Sequence, residues 1–108
     1  MVTALIGSGF PCHAFRFGGF LSVKSGKRRT ALGEAVTSGE TGIFFASPHR
    51  LVSTLEILAE IHPDARVCVA RELTKKFETY HRGTAGELLE HFRTHPPKGE
   101  IVLLVHAA

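Results

Sequence analysis

The sequence predicts an α/β domain, a single three-layer-like unit whose mixed sheet of about five strands is flanked by helices. Three observations predict it. Short apolar runs of strand character recur along the chain ("FRFGGF", "GIFFA", "RVCVA", "EIVLLV"). Segments with apolar residues at helical spacing separate most of them, and turn or cap residues stand at the junctions. A chain of 108 residues is about one domain and buries roughly two-thirds of its extended surface.

The elements follow in order. "FRFGGF" (15–20) places Phe15 and Phe17 on one side of a strand, and its glycine pair allows a bend or bulge. "KSGKRRTALGEAVTSG" carries Ala31, Leu32, Ala35 and Val36 at helical spacing, with Gly39 as the stop. "GIFFA" (42–46) is a continuous apolar run of the kind found in a covered sheet. Ser47 then reads as an N-cap with Pro48 at the first helical position. That helix shows Leu51, Leu55, Leu58 and Ile61 on one face and ends near His62 and Pro63. "RVCVA" (66–70) is the next strand, and "KFETYH" (76–81) alternates as a more exposed one. "TAGE" (84–87) matches a capping box before Leu88, Leu89 and Phe92, and "EIVLLV" (100–105) closes the chain as a buried strand. The opening "MVTALIGSGFP" resembles the last turns of an apolar helix stopped by Gly7, Gly9 and Pro11. Such a short helix is marginal alone, so the chain is expected to be cut from a longer protein.

Composition bounds the function. Hydrophobic residues are 44% and charged residues 21% of the chain, which suits a globular domain rather than a disordered one. The formal net charge of +3 permits an anionic partner such as nucleic acid without requiring one. The longest apolar runs ("IVLLV") fall far short of a membrane span, and "MVTALIGSGF" has no basic leader. Cys12 and Cys68 lie far apart and outside any CxxC pairing, so a reduced, cytoplasmic setting is expected and both read as small apolar fillers.

No complete catalytic set stands out. The histidines at 13, 49, 62, 81, 91, 95 and 106 lack metal-ligand spacing. Only His91 and His95 are one helical turn apart, and no metal is expected. Asp64 is the only aspartate, and neither a nucleophile elbow nor a phosphate-binding glycine loop is present. Two features remain. "KSGKRR" gathers Lys24, Lys27, Arg28 and Arg29 in a glycine- and serine-containing loop at a helix start. Basic residues are electrostatically misplaced there, so the stretch is either a solvated loop or a contact to phosphate backbone. The strand ends in "FFASPHR", "VAREL" and "KGEIV" are the second feature, because ligands in open α/β sheets sit beyond the carboxyl ends of strands. Ala46, Ser47, Ala70, Arg71 and Glu72 fall there, as ligand contacts or as local structural pairs.

Together "TALIGSGFP", "FRFGGFLSVKSGKRR", "IFFASPHRL", "VARELTKKFETYHRGTAGEL" and "KGEIVLLV" resemble the C-terminal domain of the tetrapyrrole (corrin/porphyrin) methylase family. The likeness runs over about residues 3–105. It is strongest to the branch that methylates the 2'-hydroxyl of a cytidine in small-subunit ribosomal RNA. The resemblance implies an S-adenosylmethionine-dependent methyltransferase that binds its cofactor in a cleft between two α/β domains. Residues 1–10 would be the end of the interdomain helix or linker and 11–108 the C-terminal domain, with the N-terminal domain and its glycine-rich loop absent. It further implies Thr3, Ala4, Phe45, Ala46, Ala70, Arg71, Glu72, Glu100, Ile101 and Val102 as the cofactor wall. Lys24, Lys27, Arg28 and Arg29 would be the RNA contacts, and no catalytic residue is assigned. The missing domain and a second copy of the chain are the implied protein partners.

The sequence also departs from the family pattern. Ala46 stands where relatives usually carry a carboxylate ("YESPHRL"), and Ser22 where "GFLP" is usual. With half a cleft, the chain alone is expected to be inactive. A porphyrin or corrin C-methyltransferase domain, or a non-catalytic RNA-binding or dimerising module, are the alternative readings.

Overall fold

A computed structural model describes residues 8–9, 15–71, 79–97 and 99–106. The strands are β1 (Phe15–Phe20), β2 (Thr41–Ala46), β3 (Arg66–Arg71), β4 (Thr79–Thr84) and β5 (Ile101–His106). The helices are α1 (Ser25–Thr37), α2 (Leu51–Ile61, entered through a 3-10 turn, Pro48–Arg50) and α3 (Ala85–Thr94). The sheet order is β1-β2-β5-β3-β4. β1 and β2 run parallel, whereas β5 is antiparallel to both β2 and β3, and β4 is antiparallel to β3. The mixed five-strand sheet predicted from the sequence is therefore present.

Alternation along the strands splits the core in two. Phe44, Val67, Val69, Ile101, Leu103 and Val105 pack under the helices with Leu32, Leu55, Leu58 and Phe92. Ile43, Cys68, Ala70, Val102 and Leu104 form a second cluster on the opposite face, with Phe45 and Tyr80 against it. On that second face the Arg82 Nε–H donates to the Ser8 carbonyl at 3.0 Å. Burial pushes the Cys68 thiol up to about 11 against the lowering effect of the Arg82 charge, so the thiolate is disfavoured and Cys68 acts as an apolar filler.

Local chemistry explains the boundaries. In β1 the register slips between Phe17 and Gly19, and Gly19 takes φ +70°, the left-handed region glycine enters without steric cost. A Cβ at Gly18 would run into the Phe44 ring, so the bulge lets β1 close onto β2. Helix α1 stops at Ser38, with Gly39 at φ +78° beyond it. The Ser47 hydroxyl oxygen accepts from the His49 N–H at 3.2 Å, the predicted cap. The capping box also forms. The Thr84 hydroxyl oxygen accepts from the Glu87 N–H at 3.3 Å, and the Thr84 N–H donates to Glu87 Oε1 at 2.9 Å.

Two boundaries differ from the sequence reading. The fourth strand, expected over 76–81, is described as Thr79–Thr84 because its pairing with β3 continues to Thr84 opposite Arg66; residues 76–78 lie outside the described residues. The basic stretch, read as a loop, is helical from Ser25 onward, with Lys24 as its N-cap. The predicted helix end at 1–8 lies outside the described residues apart from Ser8, which is helical. No helix among the described residues is long and apolar enough to cross a membrane.

Candidate cofactor cleft and its basic flank

The strand directions bring the carboxyl ends of β1, β2 and β3 to the same edge as the start of β5. There a cavity of about 580 Å³ opens. Its walls are the end of β2 (Phe45, Ala46), the Ser47–Pro48 turn and the start of β5 (Glu100, Ile101, Val102), with Phe20 closing one side. Antiparallel pairing sets Phe45 opposite Val102 and Ala46 opposite Ile101, so β2 and β5 supply a floor whose shape the ladder fixes. The Phe20 and Phe45 rings lie 5.1 Å apart and those of Phe17 and Phe45 5.4 Å apart. Phe20 is nonetheless 82% exposed. A mostly apolar concavity rimmed by backbone suits an adenosine-sized ligand.

Of the residues the family resemblance implied, Phe45, Ala46, Glu100, Ile101 and Val102 line this cavity. Ala70 and Arg71 stand one strand away, registered with Val102 and Ile101, and do not line it. Ala70 is fully buried between β5 and β4. Thr3, Ala4 and Glu72 lie outside the described residues. Sequence reasoning missed Phe20, and the signal was its place at the bulged end of β1 beside β2.

The four basic candidates separate. Lys24 and Lys27 are exposed. Arg29 reaches Glu60 of α2 at 3.1 Å, an exposed ion pair of little energetic weight. Arg28 turns the other way and is only 6% exposed. Its Nε has no hydrogen-bond partner. It lines a second cavity, of about 210 Å³, together with Arg50, Ser47 and Thr54. Both cavities share Phe20, Phe45, Ala46 and Ser47, so the second one flanks the cleft.

Histidines gather elsewhere. The His81 and His91 rings are 4.8 Å apart, and His91 stacks on His95 at 4.8 Å. Burial, then the nearby His91 and Arg71 charges, hold His81 below the ordinary histidine value. No group of three potential ligands that could hold a metal ion occurs among the described residues.

The fold is similar to that of solved methyltransferases. The methyltransferase CobJ superposes with a TM-score of 0.69 at 21% identity, covering 99% of this chain and 47% of that one. No protein-family model matches the chain. Ribosomal RNA small subunit methyltransferase I of Hydrogenobaculum sp. (strain Y04AAS1) is 42% identical over 97% of this chain and 46% of its own length. The protein of the same name from Halalkalibacterium halodurans is 44% identical over 96% of this chain and 36% of its own. Over nearly its whole length the chain is thus similar in sequence to these ribosomal RNA methyltransferases, and it has the fold of solved tetrapyrrole methyltransferases. It spans less than half the length of the relatives it matches.

Proposed function

We propose that this chain is the C-terminal domain of an S-adenosylmethionine-dependent methyltransferase that methylates a ribose 2'-hydroxyl of a cytidine in small-subunit ribosomal RNA. The observation that carries the reading is the cleft at the carboxyl edge of β2, lined by five residues that the family resemblance had picked out (Phe45, Ala46, Glu100, Ile101, Val102). Residues 1–10 would end an interdomain linker, and an N-terminal domain would supply the opposing wall with its glycine-rich loop. The exposed Phe17 and Phe20 are apolar surface suited to contact with that domain or with a second copy of the chain.

Methyl transfer from a sulfonium is an in-line displacement in which the positive charge on sulfur is lost. The protein's task is to align nucleophile, methyl and sulfur and to keep the site dry. Phe20, Phe45 and Val102 would provide apolar walls for the cofactor. The β5 start would offer backbone groups to its polar parts, with Ala70 and Arg71 behind them. Thr3, Ala4 and Glu72 complete the expected wall. Lys24 and Lys27, with Arg28 and Arg29, would hold RNA phosphates. The enzyme works in the cytoplasm, where small ribosomal subunits are assembled. Half a cleft leaves most of the cofactor's polar groups unmatched, so the isolated chain is inactive.

The test uses this domain together with the N-terminal domain it would pair with. That protein is incubated with methyl-labelled S-adenosylmethionine and small ribosomal subunits lacking the modification, with a corrin precursor in parallel. Label in RNA at a ribose that resists alkaline cleavage is the expected result. Label in the macrocycle would transfer the reading to the tetrapyrrole branch, and label in neither would leave a binding module.

A further inference from the structure

The flanking cavity holds an arrangement that folding alone does not explain. Arg28 sits on α1 one turn before Leu32, on the helix face that Leu32, Ala35 and Val36 bury. Its guanidinium is thus carried inside, at 6% exposure, and its Nε is left unpartnered. Thr54, on the buried face of α2, is 1% exposed, and its hydroxyl oxygen is also without a partner. Both line the same cavity of about 210 Å³, to which Arg50 and Ser47 contribute further donors. A buried charge without a counter-charge is costly, and the ion pairs seen among the described residues, Arg29–Glu60 and Arg93–Glu56, do not involve Arg28. The start of α1 adds to the field. Its N-cap, Lys24, makes no side-chain cap bond, and the first turn holds no acidic residue, so the positive end of the helix stays uncompensated.

Two guanidiniums and two hydroxyls around one small cavity have the chemistry of an oxyanion receptor. We infer that Arg28, Arg50, Thr54 and Ser47 form a phosphate subsite that grips one backbone phosphodiester of the RNA beside the cofactor cleft. A phosphodiester fits better than the cofactor's own carboxylate. Lys24 and Lys27 are exposed at the helix start, each adjacent in sequence to a lining residue, Val23 or Arg28, and extend a cationic track along which a backbone can run. The shared wall of Phe20, Phe45, Ala46 and Ser47 means that a phosphate held here sets the register of its neighbouring ribose against the methyl donor. Arg28 is then a positioning residue for the nucleophile, in addition to binding. The inference rests on RNA being the substrate.

The test titrates the isotopically labelled chain with inorganic phosphate, and separately with a short single-stranded oligoribonucleotide, following the Arg28 Nε–H resonance. A saturable shift at Arg28 Nε–H and at Thr54 is expected with both. Phosphate should raise the thermal midpoint of the wild-type chain and not that of Arg28→Gln. Arg28→Gln should weaken the oligoribonucleotide about tenfold and lower the slope of log affinity against log salt by about one. Arg66→Gln, at the opposite end of β3, should leave both unchanged. Thr54→Val removes the unpartnered hydroxyl from the cavity at nearly constant volume and should weaken the phosphate response while leaving Arg28 in place, which keeps the test valid if Arg28→Gln fails to fold. An unshifted Arg28 Nε–H, or equal phosphate responses in wild type and Arg28→Gln, overturns the subsite. So does an Arg28→Gln defect confined to S-adenosylmethionine affinity, which would assign the oxyanion to the cofactor. The phosphate arm uses no RNA, and the methyl-transfer assay reads where the label goes in the wild-type protein, so failure of this inference and failure of the substrate assignment are distinguishable.

Discussion

Phe45 and Val102 face each other across the β2–β5 ladder, and both side chains line the cleft. Because the ladder is antiparallel and continuous from Gly42 to Ala46, the spacing of this pair is set by the sheet and not by a loop. Val102→Phe should intrude into the cleft with its floor otherwise intact. The expected outcome is at least about a tenfold loss of S-adenosylmethionine affinity, equal to about 1.4 kcal/mol. Calorimetric titration beside a thermal melt checks this, and the melt should move little.

Gly18 carries the closure of β1 onto β2. A side chain there meets the Phe44 ring, which is packed in the helix-side core and has little room to give. Gly18→Ala should destabilise the domain by about 1–3 kcal/mol, read by denaturant unfolding. Gly26→Ala, where a Cβ meets nothing within 4 Å, is the matched control and should be neutral or slightly stabilising within α1.

Thr84 ends β4 and caps α3 at once, through the two reciprocal bonds to Glu87. Thr84→Ala removes the side-chain half of that box and should cost about 1 kcal/mol. Glu87 is held below the ordinary glutamate value by hydrogen bonds from the Thr84 backbone and hydroxyl. Its contribution is therefore present above the unfolded glutamate value and fades as pH falls through the lower folded one. The gap between circular-dichroism melts of wild type and Thr84→Ala should narrow in that acidic range without closing, because the Thr84 hydroxyl still accepts from the Glu87 N–H.

His81 provides a second pH signature. Burial and the His91 and Arg71 charges depress its folded value, so the unfolded chain binds the proton more readily. Stability should rise with pH through the window between the folded and unfolded values, and it should be lost as pH falls below the unfolded one. His81→Gln should flatten this part of the profile, as read by thermal midpoints across the pH range around neutrality.

Most of the fold was legible because the buried strands are short apolar runs. Val67, Val69, Leu103 and Leu104 are fully buried, as is Ile43 of "GIFFA". Ser47, Thr84 and Gly39 mark their junctions by chemistry that works locally. The end of β4 was harder, since Thr84 serves strand and helix together and the strand signal fades into Arg82 and Gly83. For the site, Ala46 and Ser47 were legible from their place at the carboxyl end of a strand, and Phe45, Glu100, Ile101 and Val102 through family likeness. Arg28 illustrates a missed signal. Its charge drew it into a solvated basic stretch, yet positions 28, 32, 35 and 36 repeat at helical spacing, and α1 begins early enough to bury the arginine. Thr54 hides in the same way among Leu51, Leu55 and Leu58. A polar residue in an apolar stripe is the pattern to look for, and its unmet hydrogen bonds are visible only once the cavity is.

The most direct test of the cleft assignment is a nuclear magnetic resonance titration of this chain with S-adenosylmethionine. Perturbations that saturate together at Ala46, Ile101 and Val102, at weak affinity and with Arg66 and His106 at the far sheet edge unmoved, are the predicted result. Perturbations absent from the β2–β5 edge, or centred at the opposite end of the sheet, would contradict the account.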